Sequence, residues 1–270
     1  MRFRAGLGAR CGVCIVSVVV FSGCATLRPA TPAPVSGELP SPTELEAVLR
    51  QRYEALQGLR GLAHLRYSDP TESSSSRQAI VVQRPDHVRI EVLSLFGTAF
   101  LLVADGSLIT AYVPDERTVY RGPATPENLW RYTRLWLPVK KLVDIVLATP
   151  TASADAASSV AFDAAAAAVS LRSQTPDGTQ SVWFTAGRQL VAAEERDSHG
   201  GVRWLAHYSK YEERNGLSVP THIVLELPRW SRSMELDLQD VDVNPAIDGA
   251  MFALQPPPGS KVVELQSEVD

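Results

Sequence analysis

His87-Val88-Arg89-Ile90-Glu91-Val92 decides the fold. Apolar and polar side chains alternate at period two, the signature of a strand with one buried face and one wet face. The run continues into Leu93-Ser94-Leu95-Phe96-Gly97, where the alternation breaks, and Phe100 to Val103 resumes it. Upstream, Leu65-Tyr67 and Ala79 to Arg84 read as strands, with the serine run Ser73–Ser76 predicting a hairpin loop between them. Asp105-Gly106 and Pro114-Asp115 are turn signals, so the chain up to Arg121 is a meander of short antiparallel strands.

The same grammar returns nearer the C-terminus. Val182–Thr185, Leu190–Arg196, Val202–Tyr211 and Leu217–Leu227 are strands separated by Gly187, Gly200-Gly201 and Asn215-Gly216. Asn-Gly is a strong hairpin turn. Ile223, Leu225 and Leu227 alternate with Val224 and Glu226, and Met234, Leu236 and Leu238 alternate with Glu235, Asp237 and Gln239. The pattern predicts about ten or eleven strands.

Three helices frame these meanders. Ser41-Pro42-Thr43-Glu44 is a capping box with proline at the first helical position, followed by a stripe of Leu45, Leu49, Tyr53 and Leu56. Gly58 and Gly61 read as its stop signals. Thr125-Pro126-Glu127 opens a second helix carrying Leu129, Trp130, Leu135 and Trp136, and Pro138 opens a third carrying Leu142, Val143, Ile145, Val146 and Leu147. The Ala- and Ser-rich segment 152–168 reads as a loop plus the start of a strand ending at Leu171, with a helix as the alternative because alanine favours it.

The first residues describe an export leader. Arg2, Arg4 and Arg10 precede a short apolar run ending at Phe21, which is followed by Ser22-Gly23-Cys24. A basic flank, a short apolar core and small residues make a secretory signal; the core is too short for a bilayer span of about 20 residues. The end of this segment resembles the lipobox of bacterial lipoproteins, with Phe21 where that motif usually has leucine. The resemblance implies cleavage after residue 23 and lipidation of Cys24; an ordinary signal peptide with a cysteine at its end is the alternative. Ala25 in the next position implies onward export to the outer membrane.

Cys11 and Cys14 fall inside the leader, so after its removal no disulfide or catalytic thiol remains. Cleavage leaves 23 basic against 30 acidic residues, a net charge of −7, which argues against nucleic-acid binding. Residues 24–42, with Pro29, Pro32, Pro34, Pro40 and Pro42, read as a lipid attachment followed by an extended tether.

Enzyme signatures are missing from the sequence. There is no Gly-x-Ser-x-Gly elbow, no His-Glu-x-x-His and no glycine-rich phosphate loop. The histidines His64, His87, His199, His207 and His222 are scattered; the last two are the best candidates to approach each other across the Asn215-Gly216 hairpin, though not as a metal pair. Glu194-Glu195 and Glu212-Glu213 read as solvated hairpin edges. The expectation is a non-enzyme with no cofactor and no metal.

The chain resembles the LolA/LolB superfamily of lipoprotein carriers, closest to the outer-membrane LolB-like proteins. The matching stretches are Leu59-Arg60-Gly61-Leu62-Ala63, Arg84-Pro85-Asp86-His87-Val88-Arg89-Ile90-Glu91, and Leu95-Phe96-Gly97 followed by Ala104-Asp105-Gly106. Near the end, Asn244-Pro245-Ala246-Ile247-Asp248 precedes Phe252 and Pro256-Pro257-Pro258-Gly259. The Ala-rich segment and the long tether are not features of that family. The resemblance implies an α+β fold over residues 43–264, with a tail at 265–270. The fold is a half-open, strongly curved antiparallel sheet, an unclosed β-barrel, covered by about three helices.

It also implies an apolar cavity for acyl chains. Its candidate walls here are Val88, Ile90, Val92, Ile223, Leu225, Met234, Leu236 and Leu238, with Trp130, Trp136 and Leu142 supplying the cover. The alternative for these residues is an ordinary packed core. Leu95 and Phe96 occupy the place of the family's membrane-insertion loop; a strand end tucked inside is the alternative. The implied function is a periplasm-facing, lipid-anchored outer-membrane lipoprotein that binds acyl chains and receives or inserts lipoproteins. Its implied partners are acylated lipoproteins or another lipid, a soluble LolA-like periplasmic carrier, and the membrane through its anchor. The alternative function is a non-catalytic structural or lipid-sensing subunit of an envelope complex.

Overall fold

A computed structural model describes residues 39–151 and 157–266. The leader, Cys24, the tether through residue 38 and the last residues of the tail lie outside the described residues.

One sheet of fourteen strands dominates. The first meander is β1 (Gly58–Ser68), β2 (Ser73–Gln83), β3 (His87–Ser94), β4 (Gly97–Asp105), β5 (Leu108–Val113) and β6 (Thr118–Pro123). The second is β7 (Ser158–Asp163), β8 (Ala168–Thr175), β9 (Gly178–Phe184), β10 (Leu190–Asp197), β11 (Val202–Arg214), β12 (Leu217–Leu227) and β13 (Arg232–Val243). The short β14 (Lys261–Glu264) comes last.

The two meanders are joined by antiparallel pairing of β1 with β13, where Leu65 faces Leu236 and Tyr67 faces Met234. β14 lies parallel to β6 at one edge, and β7 is the other edge, so the sheet stays open. Three helices cover its inner face: α1 (Pro42–Ala55), α2 (Pro126–Thr133) and α3 (Val139–Val146). This is the half-open α+β architecture implied by the sequence, with more strands than anticipated.

The additional strands come from weak signals. In the Ala-rich segment, whose residues 152–156 lie outside the described residues, β8 starts at Ala168 as read from the sequence, but β7 and a turn over residues 164–167 stand where a loop or helix was expected. Val160 and Phe162 are its only large apolar residues and pair with Leu171 and Val169. The serine run is the start of β2, not a hairpin loop: Ser73 to Ser76 pair with Ser68 to Leu65. The actual turn is made by Asp69, whose Oδ1 accepts hydrogen bonds from the Thr71 and Glu72 amides at 2.8 Å each. Burying only one face lets a strand carry a polar outer face.

The helix caps follow the sequence closely. Ser41 caps α1, accepting from the Glu44 amide while the Glu44 carboxylate accepts from the Ser41 amide at 2.8 Å. Thr125 caps α2, accepting from Asn128 N. α2 ends earlier than its apolar residues suggest, because Arg134 adopts a left-handed conformation with φ 61°, placing Leu135 and Trp136 in the link to α3. Gly58 and Gly61 act inside β1 instead of stopping α1. A Cβ on Gly61 would lie 2.8 Å from the Gln239 carbonyl oxygen, so the close approach of β13 requires glycine there.

Candidate functional site

The curved sheet and the two short helices line a partly open apolar cavity of about 170 Å³. Its floor is the alternating face foreseen in the sequence: Val88, Ile90 and Val92 of β3, Ile223 and Leu225 of β12, and Met234 and Leu236 of β13. Leu65 of β1, Ile80 and Val82 of β2 and Phe100 of β4 complete it. The roof is Tyr132 and Thr133 of α2, Leu135 of the link, and Leu142, Ile145 and Val146 of α3. Polar lining is confined to Gln78, Thr133 and the Tyr132 phenol, and no charged residue lines it. Partial burial pushes the Tyr132 phenol up to about 12, so it stays neutral at physiological pH.

Three of the candidate residues sit elsewhere. Leu238 points to the same side as Leu236 but is packed in the core, 5% exposed, away from the cavity. Trp130 packs at a tilt on Trp230, with ring centroids 5.2 Å apart, and meets Trp136 at 6.1 Å. Trp136 lines a different cleft. Neither indole lines the cavity: Trp130 packs on Trp230 from within α2, and Trp136 falls in the link because α2 ends at Thr133.

α3 is fixed by a buried charge cluster that sequence reading missed. Asp144 and Arg84 are 3% and 5% exposed at their side chains and pair at 2.7 Å. Lys140 reaches the other Asp144 oxygen at 2.9 Å. Arg84 also donates to the Leu56 carbonyl at 2.8 Å and to Thr149, and lies 3.5 Å from the Tyr53 ring centroid. A lone aspartate inside the apolar run Leu142–Leu147 was the available signal. Arg52 of α1 donates to Ala148 at 2.6 Å and to Ser218 at 2.8 Å, holding the end of α3 as well.

The turn between β3 and β4 is exposed. Leu95 and Phe96 are 97% and 99% exposed, and Ser94 ties the turn through its hydroxyl to Gly97 O at 2.8 Å. Neither side chain is tucked inside. The next turn, Asp105 to Leu108, is instead closed by polar groups, with Asp105 accepting from Ser107 and Leu108.

The other groups singled out in the sequence sit in ion pairs or apart from one another. His207 and His222 do not meet: His207 faces Val224 across β11 and β12. His222 instead bonds Asp237 at 2.8 Å and lies 3.6 Å from Glu235. These two carboxylates are already neutralised by Arg66, and Asp237 also by Lys210 at 3.1 Å. Burial raises the Asp237 carboxyl, but bonds from His222 and Lys210 prevail and hold it at about 2. Glu194 and Glu195 are not solvated edges: Glu194 is buried against Arg196, and Glu195 pairs with Lys141 at 3.0 Å.

An apolar cavity under short helices, on an open curved sheet, suits apolar cargo. The family described as outer membrane lipoprotein LolB matches residues 60–239, and the chain belongs to that family. Carriers of this family are in general not enzymes. The fold is shared with solved structures. One is a LolA superfamily protein from Nitrosomonas europaea, 12% identical, with a TM-score of 0.55 over 78% of this chain and 97% of that one. Another is a DUF1329 family protein from Desulfovibrio piger, 12% identical, with a TM-score of 0.56 over 78% and 95%. No curated protein matches the chain by sequence. Among the described residues, no helix is long and apolar enough to cross a membrane.

Proposed function

We propose that the chain is an outer-membrane lipoprotein, anchored by lipid on Cys24 and facing the periplasm. It takes acylated lipoproteins from a soluble LolA-like carrier and inserts them into the membrane. No bond is made or broken; transfer runs downhill by differential affinity for acyl chains. The apolar cavity carries this reading. An apolar pocket recognises by shape and area, and each buried methylene contributes about 0.8 kcal/mol.

The size of the cavity implies a moving roof. A dry apolar cavity of about 150 Å³ accommodates benzene, so about 170 Å³ holds a short stretch of hydrocarbon, not a full acyl chain. Loading therefore requires α2 or α3 to move outward. The same small volume favours the second reading, a lipid-sensing or structural subunit whose chamber stays nearly filled by side chains.

The exposed Leu95 and Phe96 support the carrier reading, because a polar turn suffices at Asp105. Phe96→Glu is expected to leave thermal unfolding within about 0.5 kcal/mol of the parent. It should impair delivery of a triacylated lipoprotein from the soluble carrier to liposomes. Undiminished delivery by Phe96→Glu would remove the turn from the mechanism.

A further inference from the structure

The link between α2 and α3 has two faces. Leu135 and Leu142 line the apolar cavity, whereas Trp136, Pro138 and Lys141 line a separate cleft of about 760 Å³. We infer that this cleft is a saccharide-binding site. The inference is independent of the carrier reading, since it shares no lining residue with the acyl cavity.

The cleft is concave and of small-ligand size, within the range of about 300–1,000 Å³. Its far wall is the β8–β9 turn and the facing ends of β10 and β11. Its charges cancel: Lys141, Arg203 and Arg229 are matched by Asp177, Glu195 and Asp197. Lys141 and Arg203 are both held by Glu195, at 3.0 and 3.3 Å. Three of the five tryptophans of the chain, Trp136, Trp204 and Trp230, line it. Trp136 is 46% exposed, an open indole beside the polar groups. Trp204 is 1% exposed, and its Nε1–H has no hydrogen-bond partner among the described residues. Trp204 therefore forms the packed floor of the cleft, with the Lys141 ammonium 5.5 Å from its ring centroid.

The ligand must offer an apolar face to an indole, groups that both donate and accept, and no net charge. A pyranose meets all three, because its C–H face stacks on an aromatic ring and its hydroxyls donate to carboxylates and accept from arginine, lysine and indole N–H. An anionic headgroup finds no surplus of cations here. An extended peptide finds no open strand edge, because β8 to β11 are each paired on both sides.

The full chain carrying Cys24→Ala, which keeps its own lipid away, is screened against an array of neutral and amino-sugar di- to tetrasaccharides and short peptides. Hits are titrated by intrinsic tryptophan fluorescence. At least one saccharide is expected to bind, about tenfold more weakly to Trp136→Ala. Asp177→Ala, at the exposed rim, should weaken it severalfold and carries the test if the tryptophan variant does not fold. Ile90→Trp, within the acyl cavity, should leave saccharide binding unchanged. The inference is overturned if no saccharide binds, if only peptides bind, or if folded Trp136→Ala and Asp177→Ala bind as tightly as the parent.

Discussion

α2 and α3 roof the same cavity but are held by different forces. α3 is nailed down by the Asp144–Arg84 pair, Lys140, Thr149 and the Arg52 contact to Ala148, and it bridges to β10 through Lys141. α2 is held by the buried Leu129, by Asn128 Nδ2 donating to the Pro123 carbonyl at 2.9 Å, and by rings: Tyr132 with Phe100 at 6.0 Å and Tyr120 at 5.7 Å, and Trp130 with Trp230 and the Arg232 guanidinium. Buried directional bonds resist displacement, because breaking them strands charges in the interior. Aromatic contacts slide and re-form at lower cost. The buried ion pair makes α3 the stiffer wall, and α2 with its link is the side expected to open.

The largest expected effect comes from breaking the fixed wall. Asp144→Ala leaves Arg84 buried without its counter-charge and should cost about 3–5 kcal/mol in denaturant unfolding. A loss below about 1 kcal/mol would show that α3 is not anchored there.

Next in size is the difference in opening. In native-state hydrogen exchange, amides of α2 are expected to exchange through lower-energy openings than those of α3. Equal protection in both helices would break the comparison.

The smallest effects concern Tyr132. Its hydroxyl makes no strong claim on the roof, so Tyr132→Phe should change stability by about 0.5 kcal/mol or less at neutral pH. Above that, the sign is fixed by linkage. The phenol sits at about 12 in the folded protein against 10.0 ordinarily, so its contribution is intact below pH 10 and is lost as pH rises towards 12. Burial raises Tyr208 and Tyr211 in the same direction, so the readout is the difference between parent and Tyr132→Phe. Parallel stability curves over that window would show that the phenol is not buried in the roof.

Much of this architecture was legible because period two reports one-sided burial directly. Val88, Ile90 and Val92 face the cavity while Arg89 and Glu91 do not, and Ile223, Leu225, Met234 and Leu236 follow the same rule across β12 and β13. Capping residues were equally readable, since Ser41 and Thr125 act through their own local bonds. What escaped was decided by distant partners. β7 owes its strand to pairing with β8, not to propensity. Asp144 and Arg84 are 60 positions apart and meet only once α3 packs beside the end of β2. Trp136 sits at an apolar position of the second helical segment, but the left-handed Arg134 stops α2 before it and leaves it in the link, whereas Trp130 stays within α2 and packs on Trp230 instead of the cavity. Leu238 continues the alternation correctly and still misses the cavity, because periodicity gives a face and not a position along the barrel.

A carrier requires that the chamber under α2 accept an acyl chain. The direct measurement is native mass spectrometry of the Cys24→Ala chain mixed with palmitate in mild detergent, after detergent removal. A one-to-one complex is expected, retained in Phe96→Glu and lost in Ile90→Trp, which fills the chamber. A mass of protein alone, or a complex untouched by Ile90→Trp, with the fold intact by circular dichroism, would contradict it.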